Sequence, residues 1–179
     1  MNPFKFLLRL KSIDRNLKEL LRLQRFNLDR DNLAERGIAV PAKAHQWWTG
    51  IWEIIDLPLR ELKSYEILTN DGTPVPLSET PLYLFLKTGD ETHLRRYIEL
   101  HDRNGKCLTK ASYEPHRRSL AALRETLSRE PYSPGKRVIV VDNRNAILDG
   151  THRSSCLLAL HGAELKITVL RILPASKSE

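Results

Sequence analysis

Val138-Ile139-Val140-Val141-Asp142-Asn143-Arg144-Asn145-Ala146-Ile147-Leu148-Asp149-Gly150-Thr151-His152-Arg153 changes character three times within one short stretch. Val138–Val141 is a continuous apolar, β-branched run, which predicts a strand buried on both faces. Asp142–Asn145 has turn chemistry. Ala146–Leu148 reads as a second short strand. Gly150 then lets the backbone turn sharply. Residues 152–161 read as a helix that Gly162 stops, and Leu165–Ile172 as a closing strand.

The step from strand through glycine into helix carries the chemistry. The first N–H groups of a helix have no partner within it, and the helix dipole favours an anion there. Gly150, Thr151, His152, Arg153 and Ser154 occupy that turn. Arg153 brings a guanidinium fork suited to phosphate oxygens, His152 a further donor and Thr151 a hydroxyl. Asp149, at the strand end, suits a magnesium ion or a substrate hydroxyl better than a phosphate. The same residues also read as an Asp-Gly turn with a threonine N-cap and a surface His-Arg pair.

Further upstream, Tyr65–Leu68 and Val75–Leu77 flank Asn70-Asp71-Gly72 and predict a hairpin. Asp90 can cap a helix with Leu94, Tyr97, Ile98 and His101 on one face. Such a His101 reads as a satisfied buried histidine. Residues 102–112 read as a polar loop. Pro115 fits the first turn of a helix carrying Leu120, Leu123 and Leu127 on one side. His116, Arg117 and Arg118 open that helix, either as a second anion clamp or as a solvated start.

Residues 4–26 have helical periodicity, with Leu10, Ile13, Leu17 and Leu20 as a stripe and Phe6 and Gln24 extending it. Lys11, Arg15, Lys18, Arg22 and Arg25 occupy the other faces. Such a helix docks on its own domain, pairs with a second copy to make a homodimer, or lies on a membrane surface. Trp47, Trp48 and Trp52 follow, with Trp48 and Trp52 placed on one helical face. They read either as an interface or substrate wall, or as a mini-core joining the N-terminal helices to the rest.

The organisation expected is a helical region over 1–64, an α+β domain over 65–173 built as a small mixed sheet with packed helices, and a tail over 174–179. The net charge of +7 is uneven: residues 1–45 hold ten Lys/Arg against five Asp/Glu. A basic arm of this kind meets nucleic acid, an anionic membrane or an acidic partner, or is a solvated helix face. Two cysteines, Cys107 and Cys156, make no disulfide framework and have no zinc-ligand spacing, in keeping with a reducing cytoplasm. No apolar run approaches the roughly 18 residues of a spanning helix.

The stretch from Val138 to Ile172 resembles the ParB/sulfiredoxin superfamily, particularly members with an Asp-Gly-x-His-Arg signature. Val75-Pro76-Leu77-Ser78-Glu79 looks like that family's first box, and residues 1–64 show no resemblance. Sulfiredoxins carry a reactive cysteine before His-Arg, where this chain has Thr151, so sulfinic-acid reduction is not expected. ParB proteins carry Gly-Glu-Arg-Arg, bind CTP and continue into a helix-turn-helix region. Here the signature is Gly-Thr-His-Arg and no such region follows before residue 179.

The resemblance to small-molecule kinases, free-serine kinases among them, implies a nucleotide-dependent phosphotransferase. ATP or ADP, with CTP as an alternative, would sit on Gly150–Ser154 with Mg2+ at Asp149. Asp149, Glu79 and His152 would serve the acceptor, a small hydroxyl-bearing molecule or a sugar. Stand-alone relatives with a helical front end also resemble proteins of bacterial surface-polysaccharide clusters. A non-catalytic nucleotide switch and a ParB-like DNA-binding protein are the competing expectations, the latter favoured by charge alone. The chain has no Walker A lysine loop, so it is not expected to be a P-loop enzyme.

Overall fold

A computed structural model describes residues 3–68, 71–103 and 113–174. Asn70, Cys107, most of the polar loop after Arg103 and the tail after Pro174 lie outside the described residues. So do the side chains of Phe6 and Leu10.

The chain opens with α1 (Pro3–Glu35), a 33-residue helix, followed by a 3-10 turn at Ala42–Gln46. Strand β1 (Trp52–Pro58) leads to β2 (Lys63–Leu68) and β3 (Pro74–Pro76), then α2 (Pro81–Thr88), α3 (Glu91–Arg103) and α4 (Tyr113–Arg129). A single turn, α5 (Pro134–Arg137), precedes β4 (Ile139–Val141), β5 (Ile147–Asp149), α6 (Thr151–His161) and β6 (Lys166–Ile172). The fold is α+β: a four-stranded mixed sheet in the order β1-β6-β4-β5 and a two-stranded sheet of β2 and β3, both packed with helices. β4 and β6 run parallel, with α6 on the crossover between them, while β1 and β5 join antiparallel at the edges.

Period-two alternation divides the sheet residues between two cores. Ile139, Val141, Ile167, Val169 and Leu57 face a core shared with α2, α3, α4 and α6. Val138, Val140, Leu170 and Ile172 face a second core closed by Phe26, Leu33 and Trp48. Burial on both faces explains why Val138–Val141 is apolar without interruption.

The tryptophans form the expected mini-core, but not on one helix. Trp48 is buried, stacks edge-on to Phe26 at 5.2 Å and donates to Asp29 at 2.9 Å. Trp52 instead begins β1, where Ile54 and Ile55 alternate between the two faces. The helical expectation for this segment fails because a β-branched strand partner, β6, lies alongside it over seven paired positions. The sheet therefore recruits a strand from within residues 1–64.

Among the described side chains, helix α1 docks by its C-terminal end, through Phe26 and Leu33. At 100° per residue those two lie across the helix from Ile13, Leu17, Leu20, Leu21 and Leu28, all of which are exposed. Among the described residues no helix is long and apolar enough to cross a membrane.

The hairpin of β2 and β3 follows the sequence reading, with Lys63 opposite Pro76 and Ser64 opposite Val75. Asp90 accepts from the N–H of Thr92 at 2.9 Å at the start of α3, whose Leu94, Tyr97, Ile98 and His101 are all buried. The hairpin is tied to the main sheet by the N–H of Lys63, which donates to the carbonyl of Asn145 at 3.0 Å. That tie sets β2 beside β5, and a cavity opens between them.

Candidate active site

A cavity of about 590 Å³ lies between β2, α3, the end of β5 and the start of α6. One end is basic and the other acidic, and different elements build each.

Gly150 makes the basic end. Its φ of 104° lies in the left-handed region, and a Cβ added there would meet Ile139 Cγ1 at 3.0 Å. Only glycine lets β5 turn into α6 against the buried β4. The turn points the free N–H groups at the start of α6 toward the cavity, which Gly150, Thr151, His152 and Arg153 all line. Lys43, from the 3-10 turn, and Arg137, at the end of α5, join Arg153 there. Both ion-pair with Asp149, whose side chain is only 4 % exposed, Arg137 at 3.3 Å. Three cations surround one carboxylate, a net charge of +2 beside a helix N-terminus. Arg153 also donates to the carbonyl of Arg137. Burial and then the Arg137 charge lower its pKa, with Tyr132 and Asp149 opposing.

Ser154 does not belong to this end. Its hydroxyl is buried and donates to the Gly150 carbonyl at 3.0 Å, while its N–H makes the first helical bond to the same oxygen. Both donors of Ser154 are thus taken by its own helix, and the residue does not line the cavity.

Glu66 and His101 make the acidic end. Glu66 sits on β2 on the same face as the buried Ser64, and its side chain is 6 % exposed. Neither of its carboxylate oxygens has a hydrogen-bond partner, and neither ring nitrogen of His101 has one. The two side chains approach to 3.6 Å, just beyond hydrogen-bond range. His101 is therefore buried as expected, but it is unsatisfied rather than satisfied. An unbonded buried polar group costs about 1–3 kcal/mol, and more if charged.

Tyr97 and His152 lie between the two ends. The Tyr97 hydroxyl and His152 Nε2 are 2.7 Å apart. Burial pushes His152 down to about 4, helped by His116, His101 and Lys43 and opposed by Asp149. The ring is thus neutral near pH 7. A neutral ring accepts the Tyr97 proton at Nε2 and carries its own on Nδ1. Burial and the nearby Glu66 raise the Tyr97 pKa, which keeps the phenol a donor. His116 stacks on Tyr97 at 5.4 Å and is lowered by burial, then by His101. It packs against the pair and does not line the cavity, while Arg117 pairs with Glu114 on the same helix.

Glu79 is placed elsewhere. It ends the 3-10 turn Leu77–Glu79, is exposed, and does not line the cavity. Cys156 is buried within α6, and burial pushes its thiol up to about 12, which makes it inert.

Asp149 has no second carboxylate beside it to preform a magnesium site among the described residues, so an ion here would have to arrive on a ligand's phosphates. Asp149 is already held by two cations, and among the described residues no group of three His, Cys, Asp or Glu is arranged for a metal. Charge neutralisation at this end comes from Lys43, Arg137, Arg153 and the helix.

Lys43, Arg137, Glu66 and Tyr97 belong to no contiguous motif. Lys43 and Arg137 are isolated in sequence. Glu66 had one usable signal: it shares the period-two face of β2 with Ser64, the inward one. No family model, curated protein or solved structure matches the chain.

Proposed function

We propose that the protein is a nucleotide-dependent phosphotransferase of the ParB/sulfiredoxin type acting on a small hydroxyl-bearing acceptor. The observation that carries this reading is the polarity of this cavity: an anion-favouring helix start with three cations at one end, and a buried carboxylate that accepts no hydrogen bond at the other. Phosphates of ATP or ADP would rest on the N–H groups of Thr151–Arg153 and on Arg153, Arg137 and Lys43. Asp149 holds the last two cations in place and so serves as a positioning residue.

Glu66, rather than the exposed Glu79, is the candidate base. In the transfer, the acceptor oxygen bonds to the terminal phosphorus and the bond to the nucleotide's bridging oxygen breaks. The acceptor proton passes to Glu66, and the nucleotide departs one phosphoryl group shorter. Positioning and charge stabilisation supply most of the rate in such a reaction. The neutral Tyr97–His152 pair keeps a fixed donor beside the path.

The test is nucleotide turnover with a panel of hydroxyl acceptors, for the wild type and Glu66→Gln. Acceptor-dependent turnover that falls at least about a hundredfold in Glu66→Gln, with nucleotide still bound, supports the proposal. Turnover that persists in the variant removes Glu66 from the role.

A further inference from the structure

The acidic end of the cavity holds a combination of groups that restricts what can fill it. Glu66 Oε1 and Oε2 and His101 Nδ1 and Nε2 are four buried polar atoms without a hydrogen bond. A carboxylate only accepts hydrogen bonds, whereas an imidazole in either protonation state carries at least one N–H that needs an acceptor. An ammonium group would satisfy Glu66 but offer nothing to the N–H of His101. An anion would be repelled by Glu66. Hydroxyl groups both donate and accept, so two or more of them can satisfy the whole set. Leu100 and Leu123 complete the wall here, and they suit the C–H surface of a compact carbon skeleton.

From these groups we infer that the acidic end is a subsite for a neutral polyol, a carbohydrate or cyclitol presenting vicinal hydroxyls to Glu66 and His101. Neighbouring hydroxyls match the bite of a carboxylate, so both Glu66 oxygens accept, one from each. One of these hydroxyls is the one phosphorylated. His101 donates to or accepts from the next hydroxyl along the skeleton. The inference rests on reading this end as the acceptor site, and it narrows the acceptor from any hydroxyl compound to a vicinal polyol.

The test reads polyol binding directly, with and without ATP. Saturation-transfer NMR and calorimetry are run on the whole chain with methyl α-glucoside, myo-inositol, 1,3-propanediol and ethylamine. The expected result is binding of the first two in the millimolar range, with the spaced diol and the amine at least about tenfold weaker. Glu66→Gln keeps the shape but donates where the carboxylate accepted, and is expected to lose at least tenfold in polyol affinity. His101→Phe keeps the packing against Tyr97 and is expected to lose a similar factor. Melting temperatures of both variants show whether they fold. If Glu66→Gln does not fold, the selectivity of the wild type among the four compounds decides the matter by itself.

Ethylamine binding as tightly as the polyols overturns the inference. So does the absence of polyol binding at 100-fold the expected concentration range, or undiminished affinity in both folded variants. If ATP binds and polyols do not, the subsite assignment fails and the nucleotide reading stands. If polyols bind and ATP does not, the converse holds.

Discussion

Lowering the pH from 7 to 4 should destabilise this protein through His152 in particular. The folded-state pKa of His152 is about 4, against an ordinary histidine value of 6.5, because burial and neighbouring histidines penalise its charged form. Above pH 6.5 the ring is neutral in folded and unfolded chains alike, and its contribution is fully present. Between 6.5 and 4 the unfolded chain takes up a proton that the folded chain refuses, so stability falls as pH falls. Below 4 both forms are protonated and the loss levels off. The full span corresponds to roughly 3.4 kcal/mol, of which about 3 is lost by pH 4. His116, also lowered by burial, acts in the same direction.

The assay is urea unfolding at half-unit pH steps, comparing wild type with His152→Asn. The variant is expected to be weaker at pH 7, since Tyr97 loses its partner, yet to lose roughly 3 kcal/mol less than wild type on going to pH 4. Parallel pH profiles for the two proteins would show that His152 is not held neutral, and the picture of a buried Tyr97–His152 pair would fail.

Gly150→Ala should cost about 2–4 kcal/mol, since it combines a left-handed backbone with a contact on the buried Ile139; a loss under about 0.5 kcal/mol in chemical denaturation would refute the close approach. Phe26→Ala should cost about 3–5 kcal/mol by opening the second core, whereas Leu17→Ser, on the exposed stripe, should change the stability of the monomer by less than about 0.5 kcal/mol. Equal effects of the two substitutions would mean that α1 is docked along its whole length.

Much of the architecture is legible in the sequence because local and tertiary signals agree there. Val138–Val141 is apolar at every position since two cores claim its alternate side chains. Gly150 breaks the pattern where a strand must turn against Ile139. The tryptophan segment misleads for the opposite reason. Trp48, Ile51, Trp52 and Ile55 have helical spacing, but β6 offers Trp52–Pro58 a seven-residue ladder, and pairing overrides the local pattern.

The site divides in a similar way. Gly150, Thr151, His152 and Arg153 are contiguous, so the motif reveals them together. Lys43, Glu66, Tyr97 and Arg137 come from four separate elements and meet only after folding. Ser154 falls within the motif but is turned inward by the helix, at a position its neighbours in sequence do not disclose. Glu79 looks right beside a proline-rich box, yet a 3-10 turn carries it to the surface. Glu66, not Glu79, is the glutamate that lines the cavity.

The most direct test of the central claim is calorimetry of ATP with the wild type and Arg153→Ala, each with and without EDTA. The expected result is nucleotide binding that weakens by about 1–3 kcal/mol, roughly 5- to 150-fold, in Arg153→Ala. EDTA should change the wild-type affinity by less than about threefold, because Lys43, Arg137 and Arg153 rather than a protein-held metal meet the phosphates. No binding of ATP, ADP or CTP at millimolar concentration, or an Arg153→Ala variant that binds as well as wild type, would contradict the phosphate cradle and leave Asp149–Arg153 as a capped turn.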